Sequence, residues 1–406
     1  MDFNGFLHKR WTIIALILII CLGIGLRTVD YHWQYLRNID SYTFYRWMDE
    51  IVINSGKLPS YDSLTYAPVG GYRGIEIFPF QHLGAYSYMF VRMFFSNMQL
   101  WQWLIWYTPI LASLAAIPMY FIGKILYDRK AGVMAAFFIV FEISNISRSL
   151  GGDPDNDAMV ILMPLIVMAA FIYTYKYIEK VKAFTPKFFL YSAVVGVLLG
   201  LWGGTWAGYW YLVWLIFGFL LLKLIIGIVK TRGLRLFTKE HKHLICAYII
   251  FFIFLGLTVV PYFGWVKLTA AVTGPIDFQS IKSEEGIEHP NVYVSVAELQ
   301  QSGGIKEIIE RTSAIGGPWI LLSPFFLMIY ALLYLAYSSI IYILHKRGKQ
   351  HFDTVLLLLV WFIGPLTATV ISVRFSILFS APMAIGSGII LSKLLNMAYH
   401  KEKFEE

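Results

Sequence analysis

Charge is scarce in this sequence. Only 14% of its 406 residues are Asp, Glu, Lys or Arg, where soluble domains carry about 25%. That shortage excludes an ordinary solvated globular domain. Cysteine is nearly absent as well. Cys21 and Cys246 each sit inside an apolar run, with no Cys-x-x-Cys and no Cys/His pattern, so a disulfide-stapled fold and a thiolate zinc centre are both excluded. There is no low-complexity tract and no internal repeat. An inverted repeat would have favoured a secondary transporter. The formal charge of +8 does not imply nucleic acid, because the basic residues flank apolar spans as membrane anchors.

What the chain has in quantity is grease. It is 58% hydrophobic and 17% aromatic, with a mean hydropathy of +0.63. The apolar runs fall near 11–27, 99–126, 131–149, 158–178, 188–203, 206–229, 244–265, 318–344, 354–373 and 375–395. Most approach the ~20 residues a helix needs to cross a bilayer, and the shorter ones need tilt or local thinning. The pattern predicts an all-α polytopic membrane protein of about ten transmembrane helices. "MDFNGFLHKR" resembles a signal n-region, but no small-residue cleavage site follows, so the first span is expected to stay as an uncleaved anchor.

Most of the 33 basic residues gather on alternate loops. The positive-inside rule then places both termini in the cytoplasm. Two loops on the opposite, extracytoplasmic face are long, about 28–98 and 266–317. Long loops in compact proteins usually carry function.

The parity puts one unusual stretch outside: "RSLGGDPDNDAM", residues 148–159, at the mouth of an apolar hairpin. Gly151–Gly152 suit a tight turn. Pro154 suits the first position of a helix with Asp153 as its cap. That reading accounts for Asp153 and leaves Asp155 and Asp157 repelling one another without purpose. A divalent cation such as Mg²⁺ or Mn²⁺ removes the repulsion and leaves coordination positions open for phosphate. Two further outside acids stand in the long loops. Asp40 lies in "IDSYTFYR", at the head of an aromatic-rich amphipathic stretch expected on the membrane surface. Glu298 lies in the extended-looking "NVYVSVAELQ". Taken singly, each reads first as a solvated loop charge. Arg148 can offset surplus negative charge. Arg374 stands alone near the outer end of an apolar span, either snorkelling to the surface or serving a site. Trp202, Trp206 and Trp210 are spaced as an interfacial aromatic belt, which Trp206 can leave to meet a ligand. His82, in "FPFQHLGAY", is either structural or in reach of a phosphate.

Taken in order, "IDSYTFYR", Arg148 with "DPDND", "TWAGYWY", "SVAE" at 295–298 and "VRF" at 373–375 resemble the membrane-embedded oligosaccharyltransferase catalytic subunit family. These are C-type glycosyltransferases. "DND" is similar to the family's second Asp-x-Asp motif, and "SVAE" to its Ser-Val-Ser-Glu loop motif. The resemblance implies a GT-C-type helical bundle. It implies transfer of a glycan from a polyprenyl or dolichyl (pyro)phosphate carrier to the amide of asparagine in an acceptor protein or peptide. Asp40, Asp155 and Glu298 would hold Mn²⁺ or Mg²⁺, with Asp157 assisting and Arg148 bracing the acids. Asp40 and Glu298 would hydrogen-bond the acceptor amide, and Arg374 would hold the carrier phosphate. Trp206 would pack on the carrier or its first sugar, and His82 would touch a phosphate. The implied setting is a cell membrane of archaeal or bacterial source.

The family's Trp-Trp-Asp-x-Gly motif, which reads the acceptor sequon, does not occur. The expectation is a single transmembrane domain over 1–406 without a soluble C-terminal domain. Three readings stay open for the acceptor: a partner chain supplies its recognition, it is not a standard sequon, or the activity is altered. Two other functions compete. One is a metal-independent transferase of the same fold, using a polyprenyl-phosphate sugar and a lipid, polymer or Ser/Thr acceptor. The other is a non-enzymatic flippase of lipid-linked glycan, which would need polar residues along a midplane path that these spans do not show.

Overall fold

A computed structural model describes residues 3–32, 35–65, 67–72, 79–231, 234–283, 302–313, 317–345 and 351–405. The chain is almost wholly helical. Helices α1 (Phe3–Thr28), α2 (Ile39–Ile53), α3 (Pro79–Arg92), α4 (Leu100–Leu114), α5 (Ala116–Leu126), α6 (Arg129–Phe141) and α7 (Ile143–Ser147) form the first half. They are followed by α8 (Asp157–Val181), α9 (Pro186–Thr205), α10 (Trp210–Thr231) and α11 (Leu234–Ser283). The last four are α12 (Ile305–Thr312), α13 (Pro324–His345), α14 (Phe352–Ile371) and α15 (Ser376–Glu405). Among the described residues the only sheet is a hairpin of β1 (Tyr61–Asp62) and β2 (Gly71–Tyr72), with Tyr61 opposite Tyr72. The first long loop therefore carries two helices, α2 and α3, and α2 is the amphipathic stretch headed by Asp40.

Nine helices among the described residues are long and apolar enough to cross a membrane. α8 and α15 form the axis of the bundle, being largely buried, whereas α1 is largely exposed to its surroundings. Their packing is close because small residues permit it. A Cβ on Gly388 of α15 would lie 2.5 Å from the Ala131 carbonyl oxygen of α6, so α6 rests directly on the axis.

Three expectations need correction. The span expected at 131–149 is not one helix. It breaks at Glu142, whose extended backbone (φ −69°, ψ 135°) separates α6 from α7. Glutamate is there because its side chain caps α7, accepting the Asn145 N–H at 2.9 Å. Second, the long loop expected from 266 starts later. α11 bends at Gly264 (φ 79°, ψ 170°) and continues to Ser283 through Pro275. A glycine absorbs this bend because L side chains avoid that conformation. Third, Asp153 does not cap α8. The helix starts at Asp157 with Asn156 before it, and the turn around Gly152 holds residues 153–155 outside the helix.

Candidate active site

The acid turn is built on backbone bonds to its neighbours. The Gly151 N–H donates to the Arg27 carbonyl at 2.8 Å, and the Arg37 N–H donates to the Gly152 carbonyl at 2.8 Å. Gly152 has φ 77°, and a Cβ there would meet Tyr31 Cε2 at 2.1 Å. The Gly-Gly pair is thus required twice, by backbone conformation and by the ring of Tyr31.

Beneath the turn lies Arg27, which is 1% exposed. Its Nε donates to Ser149 Oγ at 2.8 Å, Nη1 to the Gly23 carbonyl at 3.1 Å and Nη2 to the Val140 carbonyl at 2.8 Å. One side chain therefore joins α1, α6 and the approach to the acids.

Asp157, the first residue of α8, is buried and held by two guanidinium groups. Arg148 Nη1 lies 3.4 Å from its Oδ2, and Arg374 Nη2 lies 3.7 Å from its Oδ1. Arg374 arrives on the short 3-10 turn Val373–Phe375 between α14 and α15. Asp153 accepts a 2.6 Å hydrogen bond from Ser41 Oγ, on the first turn of α2 beside Asp40. Burial raises the Asp153 pKa; the Ser41 bond and the charge of Arg37 act against it, and the charge of Asp40 adds to it. Asp40 and Asp153 therefore share one electrostatic neighbourhood. Asp155 is pushed up to about 7, first by burial and then by the carboxylates of Asp157 and Asp153. It is the acid with the least compensated negative charge.

The Asn156 amide donates to the Thr205 carbonyl at 3.3 Å, drawing the end of α9 against the acid turn. Trp206 follows in an extended conformation. Its ring meets Trp202 at 5.8 Å and Phe375 at 6.3 Å. Trp206 and Phe375 line an apolar cavity of about 520 Å³, with Trp210, Trp214, Pro275 and Ile371 among its other walls. Phe375, in the cavity wall, directly follows Arg374, the arginine that faces Asp157.

The structure thus brings Asp157, Arg148 and Arg374 into one cluster, sets Asp155 beside it, and joins Asp153 to α2 next to Asp40. Trp206 stands at the cavity. His82 lies on α3 with its ring 5.9 Å from that of Tyr86. Glu298 lies outside the described residues. Ser41, Arg37 and Arg27 carry much of the site's architecture and were not indicated by the sequence. Ser41 offered one signal only, its place beside Asp40.

These residues suit a hard divalent cation in donor type and charge. The donors are carboxylate oxygens, and the crowding that raises Asp155 is what a cation relieves. Among the described residues, however, no three His, Cys, Asp or Glu side chains converge as a metal cluster.

Fold and site together define a multi-pass helical membrane protein with an acid-rich turn beside an aromatic groove. Residues 12–403 match the family Oligosaccharyl transferase STT3, N-terminal, and the chain belongs to that family. Over 148 residues it is 30% identical to the dolichyl-phosphooligosaccharide-protein glycotransferase of Methanocaldococcus jannaschii, a match covering 36% of this chain and 15% of that one. The fold is that of the Archaeoglobus fulgidus oligosaccharyltransferase. The form tethered with an acceptor peptide containing the NVT sequon superposes with a TM-score of 0.69 at 19% identity, covering 97% of this chain and 50% of that one. The form in complex with an inhibitory peptide and a dolichol-phosphate gives 0.64 at 19%, covering 98% and 52%. The complex with Zn and sulfate gives 0.67 at 21%, covering 96% and 50%. The chain spans about half the length of these structures.

Proposed function

We propose that this chain transfers an oligosaccharide from a polyprenyl (dolichyl) phosphate or pyrophosphate carrier to the side-chain amide nitrogen of asparagine, with a divalent cation, on the extracytoplasmic face of a membrane. The observation that carries this reading is the Asp157 cluster. Arg374 pairs with Asp157, and the next residue, Phe375, is in the wall of an apolar aromatic groove, so one short turn offers a cation for an anionic head and a wall for a greasy carrier. The peptide and dolichol-phosphate bound by the Archaeoglobus protein support it.

The carrier chain lies in the groove against Trp206. Its phosphate oxygens meet the Arg374 guanidinium, which offers planar, charge-assisted donors. The anomeric carbon then faces the acids. The acceptor amide nitrogen bonds to that carbon, the carbon–oxygen bond to phosphate breaks, and the electron pair leaves with the phosphate. The amide proton passes to a carboxylate, a role assigned in this proposal to Asp40, with Glu298 as its partner in holding the amide. Arg148 fixes Asp157, and His82 offers a further contact to the donor. Asp40, Asp155, Asp157 and Glu298 would hold Mn²⁺ or Mg²⁺; bound there, such a cation supplies Lewis-acid neutralisation of the leaving phosphate.

The test is incubation of purified protein with lipid-linked glycan, Mn²⁺ and a sequon peptide, with glycopeptide read by mass spectrometry. Glycopeptide that disappears on chelation supports the proposal. Hydrolysed glycan without glycopeptide would point to acceptor recognition by a partner chain. The pairing of Asp157 with Arg148 and Arg374, which already balances its charge, favours one second reading: a metal-independent transferase using a polyprenyl-phosphate sugar and a lipid, polymer or Ser/Thr acceptor. There transfer survives chelation and Asp157→Asn is nearly silent.

A further inference from the structure

Glu142 stands apart from the acids of the active site. It is 7% exposed. Its Oε2 caps α7, accepting from Ser144 Oγ at 2.6 Å and from the Asn145 N–H at 2.9 Å. Its Oε1 is buried with no hydrogen-bond partner. Arg27 is the neighbouring cation, but its hydrogen bonds go to Ser149, Gly23 and Val140. A buried carboxylate oxygen without a donor is costly, so its surroundings should show what satisfies it.

Glu142 lines a cavity of about 170 Å³ together with Phe137, Phe138, Phe141, Thr312 and Ser380. The two hydroxyls donate elsewhere, Thr312 to the Ile308 carbonyl at 2.8 Å and Ser380 to the Ile377 carbonyl at 2.7 Å. Their lone pairs are left as acceptors. Ser313 also lines the cavity, with a hydroxyl able to donate or accept; the polar atoms offered by Glu142, Thr312 and Ser380 are acceptors, one of them a carboxylate, among aromatic rings. A primary ammonium group is the complement: three donors, no acceptor, and a charge attracted both to carboxylate and to ring faces. The cavity also opens outward. Phe137 and Ile143, both in its wall, are 45% and 37% exposed on the outside of the bundle, where a membrane protein meets lipid.

We propose that this cavity binds a primary ammonium group carried by the headgroup of a membrane lipid. Thr312 ends α12, the helix by which the second long loop returns, while Ser380 lies on the axial helix α15. A seated ammonium joins α6, α12 and α15 at one point, which anchors the return of that loop.

The test uses full-length protein in nanodiscs of phosphatidylglycerol, alone or with phosphatidylethanolamine or phosphatidylcholine added, and counts retained lipid by native mass spectrometry. Phosphatidylethanolamine is retained and phosphatidylcholine, which has no N–H, is not. Glu142→Gln keeps an acceptor for the α7 cap and lowers retention at least about tenfold, the effect of losing one charge-assisted hydrogen bond. Thr312→Val, close in shape, lowers it severalfold. A Glu142-dependent thermal shift with free ethanolamine, without lipid retention, keeps the ammonium chemistry and assigns a soluble source. Equal retention of the two lipids overturns the proposal. So does retention indifferent to both substitutions, or a Glu142-dependent shift with Na⁺ or K⁺ alone.

Discussion

Arg374 Nη2 lies 3.7 Å from Asp157 Oδ1, which joins the turn before the last helix to the first residue of α8. The residue after this arginine, Phe375, is in the wall of the aromatic groove. Arg374 therefore has two partners to serve, an internal carboxylate and an incoming anion. Arg374→Ala should lower kcat/KM for the lipid-linked donor about 10- to 100-fold, the range for losing one charge-assisted contact. Arg374→Lys should recover only part of this, because an ammonium lacks the planar fork. Steady-state kinetics with varied donor check both.

Asp155 titrates from a raised position, about 7 against an ordinary 3.8. The folded state therefore holds its proton more tightly than the unfolded state does. The stability this contributes is fully present below about pH 4 and is lost as pH rises through about 7. In metal-free protein the melting temperature of wild type relative to Asp155→Asn should fall across that window. Metal affinity should rise over the same window, since the cation must displace the proton. Thermal melts of the two proteins from pH 4 to 8, with and without Mn²⁺, check the sign. A flat difference would remove Asp155 from the site.

The Gly152 backbone is left-handed and its missing side chain is replaced by the Tyr31 ring. Gly152→Ala should destabilise the turn by about 1–3 kcal/mol. Adding Tyr31→Ala should restore the steric part of that loss and leave the backbone part. Paired chemical or thermal unfolding of the single and double variants separates the two.

Arg27 is buried with three hydrogen bonds, two of them to distant parts of the chain. Arg27→Met fills similar volume but strands Ser149 and two carbonyls, and it takes the nearest cation from Glu142. A loss of about 3–5 kcal/mol is expected, with activity lost in proportion to unfolded protein. Unfolding in detergent, with activity measured on the folded fraction, distinguishes this from a direct role in the reaction.

Trp206 walls the groove without touching the acids. Trp206→Ala should raise KM for the donor with a smaller change in kcat, because the lost contact is made equally before and during transfer.

The helices and the acids were legible because both leave local marks. Runs of apolar residues announce spans, and "DPDND" is conspicuous in so uncharged a chain. What could not be read was reach. Ser41 meets Asp153 with the rest of α2 and helices α3 to α7 between them in the chain, and Asp157 meets Arg374 from near the chain's far end; neither pairing has a period or spacing. Glu142 was read through because eleven apolar residues around it outweigh one charge, and glutamate is not among the residues that ordinarily mark a helix start. The 266–283 segment was read as loop because the apolar run ends near 265, whereas the helix resumes after the bend at Gly264 and runs through Pro275 to Ser283.

The Gly151 N–H hangs on the carbonyl of Arg27, at the end of a helix whose sides are largely exposed. A thicker or thinner bilayer changes the tilt of such a peripheral span. The tether carries that movement to the carboxylates, so the hydrophobic thickness of the host membrane becomes a setting on the geometry of the acid turn.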